Sequence, residues 1–238
     1  MQLDREMLRH PYVAVGTENG EWTYGGNQSW LSTKAERAFG CGLIAAADVL
    51  RYLEMDRKAM RIPKAEYLED IHILVQDFPV KGRLGITGFG LARRMNRIFR
   101  RGKLPFKARW SLGRKHFLER LPEMLGEDIP VLMSVGPGFF HKEARLSMYK
   151  PVVEKNEPER DDTTHVWKPS DADFRRENSM RDHYVTATGV MTTEEGTTWI
   201  RISSWGDRYY IRLDEYLEHV KKYDNFLFSS LLYIRRTR

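Results

Sequence analysis

The sequence predicts an α+β protein, with amphipathic helices in the first half of the chain and short antiparallel strands in the second. Apolar residues recur at helical spacing in four segments, residues 43–53, 63–78, 89–100 and 115–125. From residue 129 onward, short segments rich in β-branched residues alternate with turns that contain glycine and aspartate. This order predicts one domain, mainly helical over residues 1–128 and mainly β over residues 129–238.

The composition is that of a globular protein with a sizeable core, since 41% of the 238 residues are hydrophobic and 12% are aromatic. A single cysteine excludes an internal disulfide framework and a thiolate metal cluster, and it suits a reducing compartment. The sequence starts without the apolar segment of a signal peptide and contains no apolar run long enough to span a bilayer. We therefore expect a cytoplasmic protein without a membrane span.

Charge points to no particular partner. The chain has 39 basic and 33 acidic residues, which are interleaved and give a net charge of +6. The densest basic run, from Arg93 to Lys103, has the spacing of the solvent face of an amphipathic helix. An anion-binding patch on this helix stays open as the alternative, but we expect no nucleic-acid partner.

The only cysteine, Cys41, stands at the start of the apolar helix predicted for residues 43–53. Gly40 and Gly42 let the backbone turn sharply and be approached closely around it. The positive end of the helix dipole and its unpaired N–H groups favour the thiolate, which is the nucleophilic form of cysteine. The alternative is a buried structural cysteine that acts as a small hydrophobic residue.

Two later segments carry residues that suit the same chemistry. His183 begins a β-branched strand over residues 183–191, and a turn at Trp205-Gly206 ends a second strand over residues 198–203. A histidine next to a cysteine can act as the general base that activates the thiol.

Together these segments resemble the papain-like cysteine peptidases, and the nearest branch is the bacterial double-glycine peptidases that process bacteriocins. Gly40-Cys41-Gly42 is similar to the nucleophile segment of that family, although Leu43 replaces a common proline. The His183 strand is similar to the family's histidine strand, and residues 203–206 are similar to its Asn-Ser-Trp-Gly segment. The three blocks occur in the family's order and cover roughly a fifth of the chain.

The resemblance implies a helical lobe whose nucleophile helix packs against an antiparallel sheet lobe. It also implies that Cys41 attacks an acyl carbon and that His183 is the base. Ser203 stands where the family has the asparagine that orients the histidine, and we expect Ser203 to take this role in preference to Asp207. Trp205 is expected to shield the histidine from water. Gly40, Gly42 and Trp205 are expected to line the substrate cleft.

Gln28 is the candidate for the oxyanion-hole donor that the family places before its cysteine. It stands further upstream than usual, so the resemblance requires a loop over residues 32–39 to bulge out between the two. A surface glutamine beside a packing tryptophan is the alternative.

The remaining polar features carry no assigned role. A long polar insertion over residues 140–181 is expected to be a loop that walls the cleft and contains His141 and His165. His72 and His116 have no partners at metal-ligand spacing, so we expect surface positions for both. We expect no cofactor, since the sequence contains no phosphate-binding or dinucleotide-binding pattern.

The sequence thus predicts a cysteine-dependent hydrolase that cleaves an amide bond through an acyl-enzyme, with a peptide as the expected substrate. An acyltransferase on the same fold and a catalytically inactive peptide-binding module remain the alternatives.

Overall fold

A computed structural model of the chain describes residues 5–9, 12–54, 61–78, 85–112, 114–136, 141–152, 169–223 and 230–237. Its helices are α1 (Lys34–Phe39), α2 (Cys41–Glu54), α3 (Lys64–Asp77), α4 (Gly88–Arg101), α5 (Arg114–Gly126) and α6 (Leu213–Lys222). The helices predicted from apolar spacing agree with α2 to α5 to within two residues at most ends.

The strands are short and fall into two sheets. They are β1 (Arg5–Met7), β2 (Ala14–Gly16), β3 (Trp22–Tyr24), β4 (Arg61–Pro63), β5 (Phe106–Ser111), β6 (Val131–Val135), β7 (Leu146–Pro151), β8 (Phe174–Met180), β9 (His183–Thr192), β10 (Thr198–Ser204), β11 (Asp207–Arg212) and β12 (Leu231–Arg236). In the large sheet the strands run β5-β12-β6-β9-β10-β11-β7-β8, with β1 also paired to β9. All these pairs are antiparallel. A small sheet has the order β3-β2-β4.

This architecture confirms the α+β class, and strands from both halves of the chain contribute to the large sheet. β1 and β5 come from the part of the chain that was expected to be mainly helical, yet both are strands of the large sheet. The polar insertion over residues 140–181 is not a single loop either, because β7 and β8 pair with each other at one edge of the sheet. Polar sequence is tolerated there because an edge strand can leave one side in solvent.

Helix α1 replaces the loop that was expected over residues 32–39. Its start is fixed by a capping box, in which the Thr33 hydroxyl accepts from the Glu36 N–H at 3.1 Å and the Glu36 carboxylate accepts from the Thr33 N–H at 2.9 Å. These two bonds satisfy helix N–H groups that would otherwise lack partners. The helix carries the chain up to the start of α2.

Helix α2 lies at the centre of the core and packs directly against β9. Leu43, Ala46 and Val49 are fully buried along the helix, and residues 185–191 of β9 are buried as well. Burying a leucine or valine side chain contributes about 1.5–3 kcal/mol, so this contact strongly favours one position of α2 on the sheet. None of the described helices is long and apolar enough to cross a lipid bilayer.

Candidate active site

A small cavity lies where the start of α2, the start of β9, the β10–β11 turn and the loop after β3 meet. The side chains that matter for its chemistry are those of Gln28, Cys41, Asp48, His183, Ser204 and Trp205. Its free volume of about 10 Å³ is enough for roughly one water molecule. The thiol of Cys41 and the imidazole of His183 therefore line the same cavity.

Cys41 is the first residue of α2 and is separated from α1 only by Gly40. A Cβ on Gly40 would lie 2.4 Å from the Glu36 carbonyl oxygen, so only glycine fits this junction. A Cβ on Gly42 would lie 3.1 Å from the Tyr184 ring. The two glycines thus bring the helix start close to β9, but neither is among the described residues that line the cavity. That both glycines line the substrate cleft stays a prediction.

The thiol of Cys41 is protonated at rest. The residue is only half-buried by its exposed area, but its sulfur is closely surrounded by protein, and this burial raises the thiol pKa. The backbone N–H groups of Tyr184, Gly42 and Cys41 act in the opposite direction and lower it. Because burial outweighs the helix terminus, the expected resting thiolate is wrong for this state.

His183 is the first residue of β9 and is only 7% exposed. Its Nε2 lies 2.8 Å from the Ser204 hydroxyl, and the Trp205 ring stacks on the imidazole with centroids 4.5 Å apart. Burial lowers the pKa of His183 to about 4, so the imidazole is neutral at pH 7. With Nε2 engaged by Ser204, Nδ1 is the ring nitrogen left for other chemistry.

The group that bonds the imidazole is Ser204, so the assignment of this role to Ser203 is wrong. The Ser203 hydroxyl donates instead to the Tyr24 carbonyl at 2.8 Å. Asp207, the other candidate, forms an ion pair with Lys150. Both expected groups are therefore engaged elsewhere.

A β-bulge explains this one-residue error. Gly189 pairs with Arg201 but Ala187 pairs with Ile202, so β9 contains one extra residue, Thr188. Directly paired residues share a face, and alternate residues follow them, so Ser204 lies on the His183 face. Without the bulge, Ala187 would pair with Ser203, which would then occupy that face.

Trp205 and Gly206 form a tight two-residue turn between Ser204 and Asp207, and both have positive φ, 53° and 77°. A positive φ is costly for a tryptophan, by about 1–3 kcal/mol. The turn nevertheless holds the indole flat against His183. The expectation that Trp205 borders the cavity and covers the histidine agrees with this geometry.

Gln28 borders the cavity, and its amide nitrogen is engaged by a carbonyl of α1. Its Nε2 donates to the Arg37 carbonyl at 3.0 Å, and its Oε1 is buried without a hydrogen-bond partner among the described residues. The Arg37 carbonyl belongs to the last turn of α1, where helix carbonyls lack intrahelical partners, and it competes for the amide. At rest this amide nitrogen thus has a partner on α1, and the oxyanion role of Gln28 stays a prediction.

Sequence reasoning missed Asp48, which is 1% exposed at the opposite end of the cavity. It lies seven residues after Cys41 and therefore on the same face of α2. A carboxylate on an otherwise apolar helix face was the signal that could have found it. Burial raises the pKa of Asp48 to about 6, while the Tyr67, Gly26 and Tyr12 donors lower it.

The remaining histidines that the structure describes lie at no candidate metal site. Among the described residues, no group of three or more potential ligands is placed to hold a metal ion. His72 and His116 are exposed, as expected, and His141 lies beside Glu143 at 3.2 Å. His165 lies outside the described residues.

The basic run on α4 is largely a solvated helix face. Arg93, Arg97 and Arg100 are exposed, and Arg101 donates to Asp77 at 2.5 Å. The apolar side of the same helix is buried in the core.

Comparison of the chain with protein-family models, with curated proteins and with solved structures gives no match. Its function must therefore be argued from the site itself.

Proposed function

We propose that the protein is a cysteine-dependent hydrolase, with a papain-like arrangement of nucleophile and base, that cleaves an amide bond of a peptide. The observation that carries the proposal is the shared cavity of Cys41, at the first residue of α2, and His183, at the first residue of β9. The 2.8 Å bond from His183 Nε2 to Ser204 supplies the third member, which orients the base.

Catalysis would begin from the neutral pair. When the substrate carbonyl carbon approaches, Cys41 Sγ forms a bond to it, and the carbonyl π electrons move to the oxygen. The thiol proton passes to Nδ1 of His183 during this attack, because neither group ionises beforehand. Ser204 supports the step by accepting from Nε2–H, which stabilises the imidazolium as it forms.

The developing oxyanion would be stabilised by backbone N–H groups at the start of α2. The first N–H groups of a helix point out of it without intrahelical partners, and the helix dipole favours negative charge there. One such donor is worth about 3–4 kcal/mol to the transition state. Cys41 itself supplies the nearest of these amides.

The second half of the reaction regenerates the enzyme. The imidazolium protonates the amide nitrogen as the C–N bond breaks, and the amine leaves while a thioester remains on Cys41. Water then attacks the thioester carbon and gives its proton to Nδ1. The C–S bond breaks, the acid leaves, and the sulfur recovers its proton.

Acylation by an activated ester tests the proposal. With p-nitrophenyl acetate at pH 7.5, we expect a burst of about one equivalent of p-nitrophenol, followed by slow steady release as the thioester hydrolyses. Intact mass should place one acetyl group on the wild type and none on Cys41→Ala. Because Cys41 is the only cysteine in the chain, the site of modification is unambiguous.

Two other outcomes identify the alternatives. If glycinamide accelerates the steady phase and appears acetylated in the product, the protein is an acyltransferase. If the wild type gives no burst while iodoacetamide still labels Cys41 at pH 10, the protein is a non-catalytic binding module. The neutral resting pair is the one observation that favours this second candidate.

A further inference from the structure

We propose that Asp48 is a positioning residue for the reaction at Cys41. Its carboxylate fixes the loop of residues 24–28 against α2, and this loop holds the turn that carries Ser204 and Trp205 onto His183. The role rests on the proposed hydrolase function, but its test has a readout that does not depend on activity.

The first link joins α2 to the loop. The Asp48 carboxylate accepts from the Gly26 N–H at 3.1 and 3.2 Å, from the Tyr67 hydroxyl at 2.7 Å and from the Tyr12 hydroxyl at 3.3 Å. These donors come from three separate parts of the chain. The buried carboxylate therefore joins the loop, α3 and the segment before β2 to the nucleophile helix.

The second link joins the loop to the turn above His183. Asn27 Nδ2 donates to the Trp205 carbonyl at 2.5 Å, and the Tyr24 N–H donates to the Gly206 carbonyl at 2.9 Å. The Ser203 hydroxyl adds a third bond, to the Tyr24 carbonyl at 2.8 Å. Movement of the loop must then move the turn, and with it the partners of His183.

Close packing leaves the loop little room to move while these bonds are present. A Cβ on Gly25, whose φ is +79°, would lie 2.5 Å from the Asp48 carboxylate and 2.4 Å from the Ser203 hydroxyl. A Cβ on Gly26 would lie 2.0 Å from the Tyr67 hydroxyl. Glycine at both positions thus serves the approach of the backbone to the carboxylate.

The ionised carboxylate suits this cluster because it only accepts hydrogen bonds, and its partners are donors. Protonation would turn one oxygen into a donor and weaken part of the network. The titratable groups around it are Tyr12, Tyr67 and Tyr24, with Cys41 and His183 across the cavity. The pKa of Asp48 is about 6 and that of His183 about 4, whereas burial raises those of Tyr12, Tyr67 and Cys41. An acid limb near pH 6 in the acylation rate would therefore come from Asp48.

Asp48→Asn tests the role, with Asp171→Asn as the matched control. The Asp171 carboxylate also accepts three side-chain hydrogen bonds, from Thr193, Thr197 and Trp199, but it lies outside the cavity. We expect Asp48→Asn to acylate with p-nitrophenyl acetate about tenfold more slowly at pH 7.5, and its acid limb to move from near pH 6 toward pH 4. Asp171→Asn should keep the wild-type rate and limb.

Hydrogen exchange gives the readout that is independent of activity. In Asp48→Asn, the amides of residues 24–28 and 204–207 should exchange at least about tenfold faster than in the wild type, while α2 stays protected. Unchanged exchange there, or an unchanged acid limb near pH 6, overturns the positioning role alone. A wild type that is not acylated overturns the proposed function and the catalytic part of this role together, even where exchange confirms the links.

Discussion

The two ends of the cavity differ in how completely their polar groups are satisfied. At the carboxylate end, Asp48 accepts hydrogen bonds from Gly26, Tyr67 and Tyr12. At the nucleophile end, defined by Cys41 and His183, the imidazole has one side-chain hydrogen bond among the described residues, through Nε2 to Ser204. The carboxylate at one end is thus fully hydrogen-bonded, whereas the imidazole at the other end can still form a further hydrogen bond.

The difference suits the carboxylate end to fixing the structure and the nucleophile end to reaction. A buried polar group with all its bonds made is rigid, because moving it means losing several bonds at once. A buried pair with bonds unmade is the arrangement that a substrate can complete. The same helix, α2, carries Asp48 and Cys41 two turns apart, so the rigid end can set the position of the nucleophile.

Burial also moves the pKa values at the two ends in opposite directions. It raises the pKa of Asp48, an acid, to about 6 and lowers that of His183, a base, to about 4. Each shift favours the neutral form of the group.

His183→Gln should abolish the reactivity of the nucleophile end while leaving the carboxylate end intact. Removing the base should slow acylation by p-nitrophenyl acetate at pH 7.5 by about 10³-fold. Alkylation by iodoacetamide at pH 10, where the thiolate forms without help, should change less than about threefold. His219→Gln is the matched control, because His219 is also buried with a lowered pKa but lies outside the cavity. Equal loss in both variants would contradict a special role for His183.

His183 and Asp48 should contribute to the pH dependence of stability in different ways. Below pH 6.5 His183 is protonated in the unfolded chain but not in the folded protein. Its contribution to the free energy of unfolding is therefore lost as the pH falls to about 4. Asp48 is more easily protonated in the folded protein than in the unfolded chain. Its contribution to the free energy of unfolding is therefore present below about pH 4 and is lost as the pH rises to about 6. Each pKa shift corresponds to at most about 3 kcal/mol of unfolding free energy. The two contributions change with pH in opposite directions and nearly cancel in the wild type.

Urea unfolding at pH 4 to 7 should therefore separate the variants. Relative to the wild type, His183→Gln should gain up to about 3 kcal/mol as pH falls from 6.5 to 4, and Asp48→Asn should gain as much as pH rises from 4 to 6. Two variants with the same slope would contradict the opposite effects of burial.

Ser204→Ala and Ser203→Ala should behave differently although the residues are adjacent. Loss of the Ser204 hydroxyl leaves His183 Nε2 buried without its partner, so acylation should fall about tenfold. Loss of the Ser203 hydroxyl removes one of the three bonds between the loop and the turn, so stability should fall by about 1 kcal/mol and acylation should fall less than in Ser204→Ala. If Ser203→Ala slows acylation more than Ser204→Ala, the orienting role belongs to Ser203 after all.

Gln28→Ala should have the smallest effect. Its amide nitrogen is held by the Arg37 carbonyl at rest, so its removal should change the acylation rate by less than about threefold. Gln28→Glu provides a second measurement, since a carboxylate cannot donate to Arg37. A loss of about 100-fold in Gln28→Ala would show that the amide rotates into the oxyanion site during turnover.

The parts of the fold that follow apolar periodicity were predictable, and the parts that depend on register were not. Helices α2 to α5 and strands β9 and β10 carry their burial pattern in the sequence. The choice between Ser203 and Ser204 depends on the bulge at Thr188, whose hydroxyl bonds to Arg201 Nε at 3.0 Å across the strands. No local sequence pattern reveals a one-residue insertion of this kind.

Helix α1 and the strands of the polar insertion were also not predicted, and the sequence explains why. Thr33 and Glu36 have the spacing of a capping box, which predicts the start of α1. The edge strand β8 alternates weakly because most of it is exposed, so the sequence of this region reads as a polar loop. The site was predictable as far as Cys41, His183 and Trp205, whose positions follow from a helix start, a strand start and a turn.

The protonated state of the Cys41 thiol has a consequence for oxidation. Peroxides react with thiolates far faster than with thiols, so the raised pKa of Cys41 protects the resting site against conversion to sulfenic acid. The only cysteine of the chain also has no second thiol within the molecule with which an oxidised sulfur could condense. Once oxidised, the site would depend on a reductant from outside the protein for its recovery.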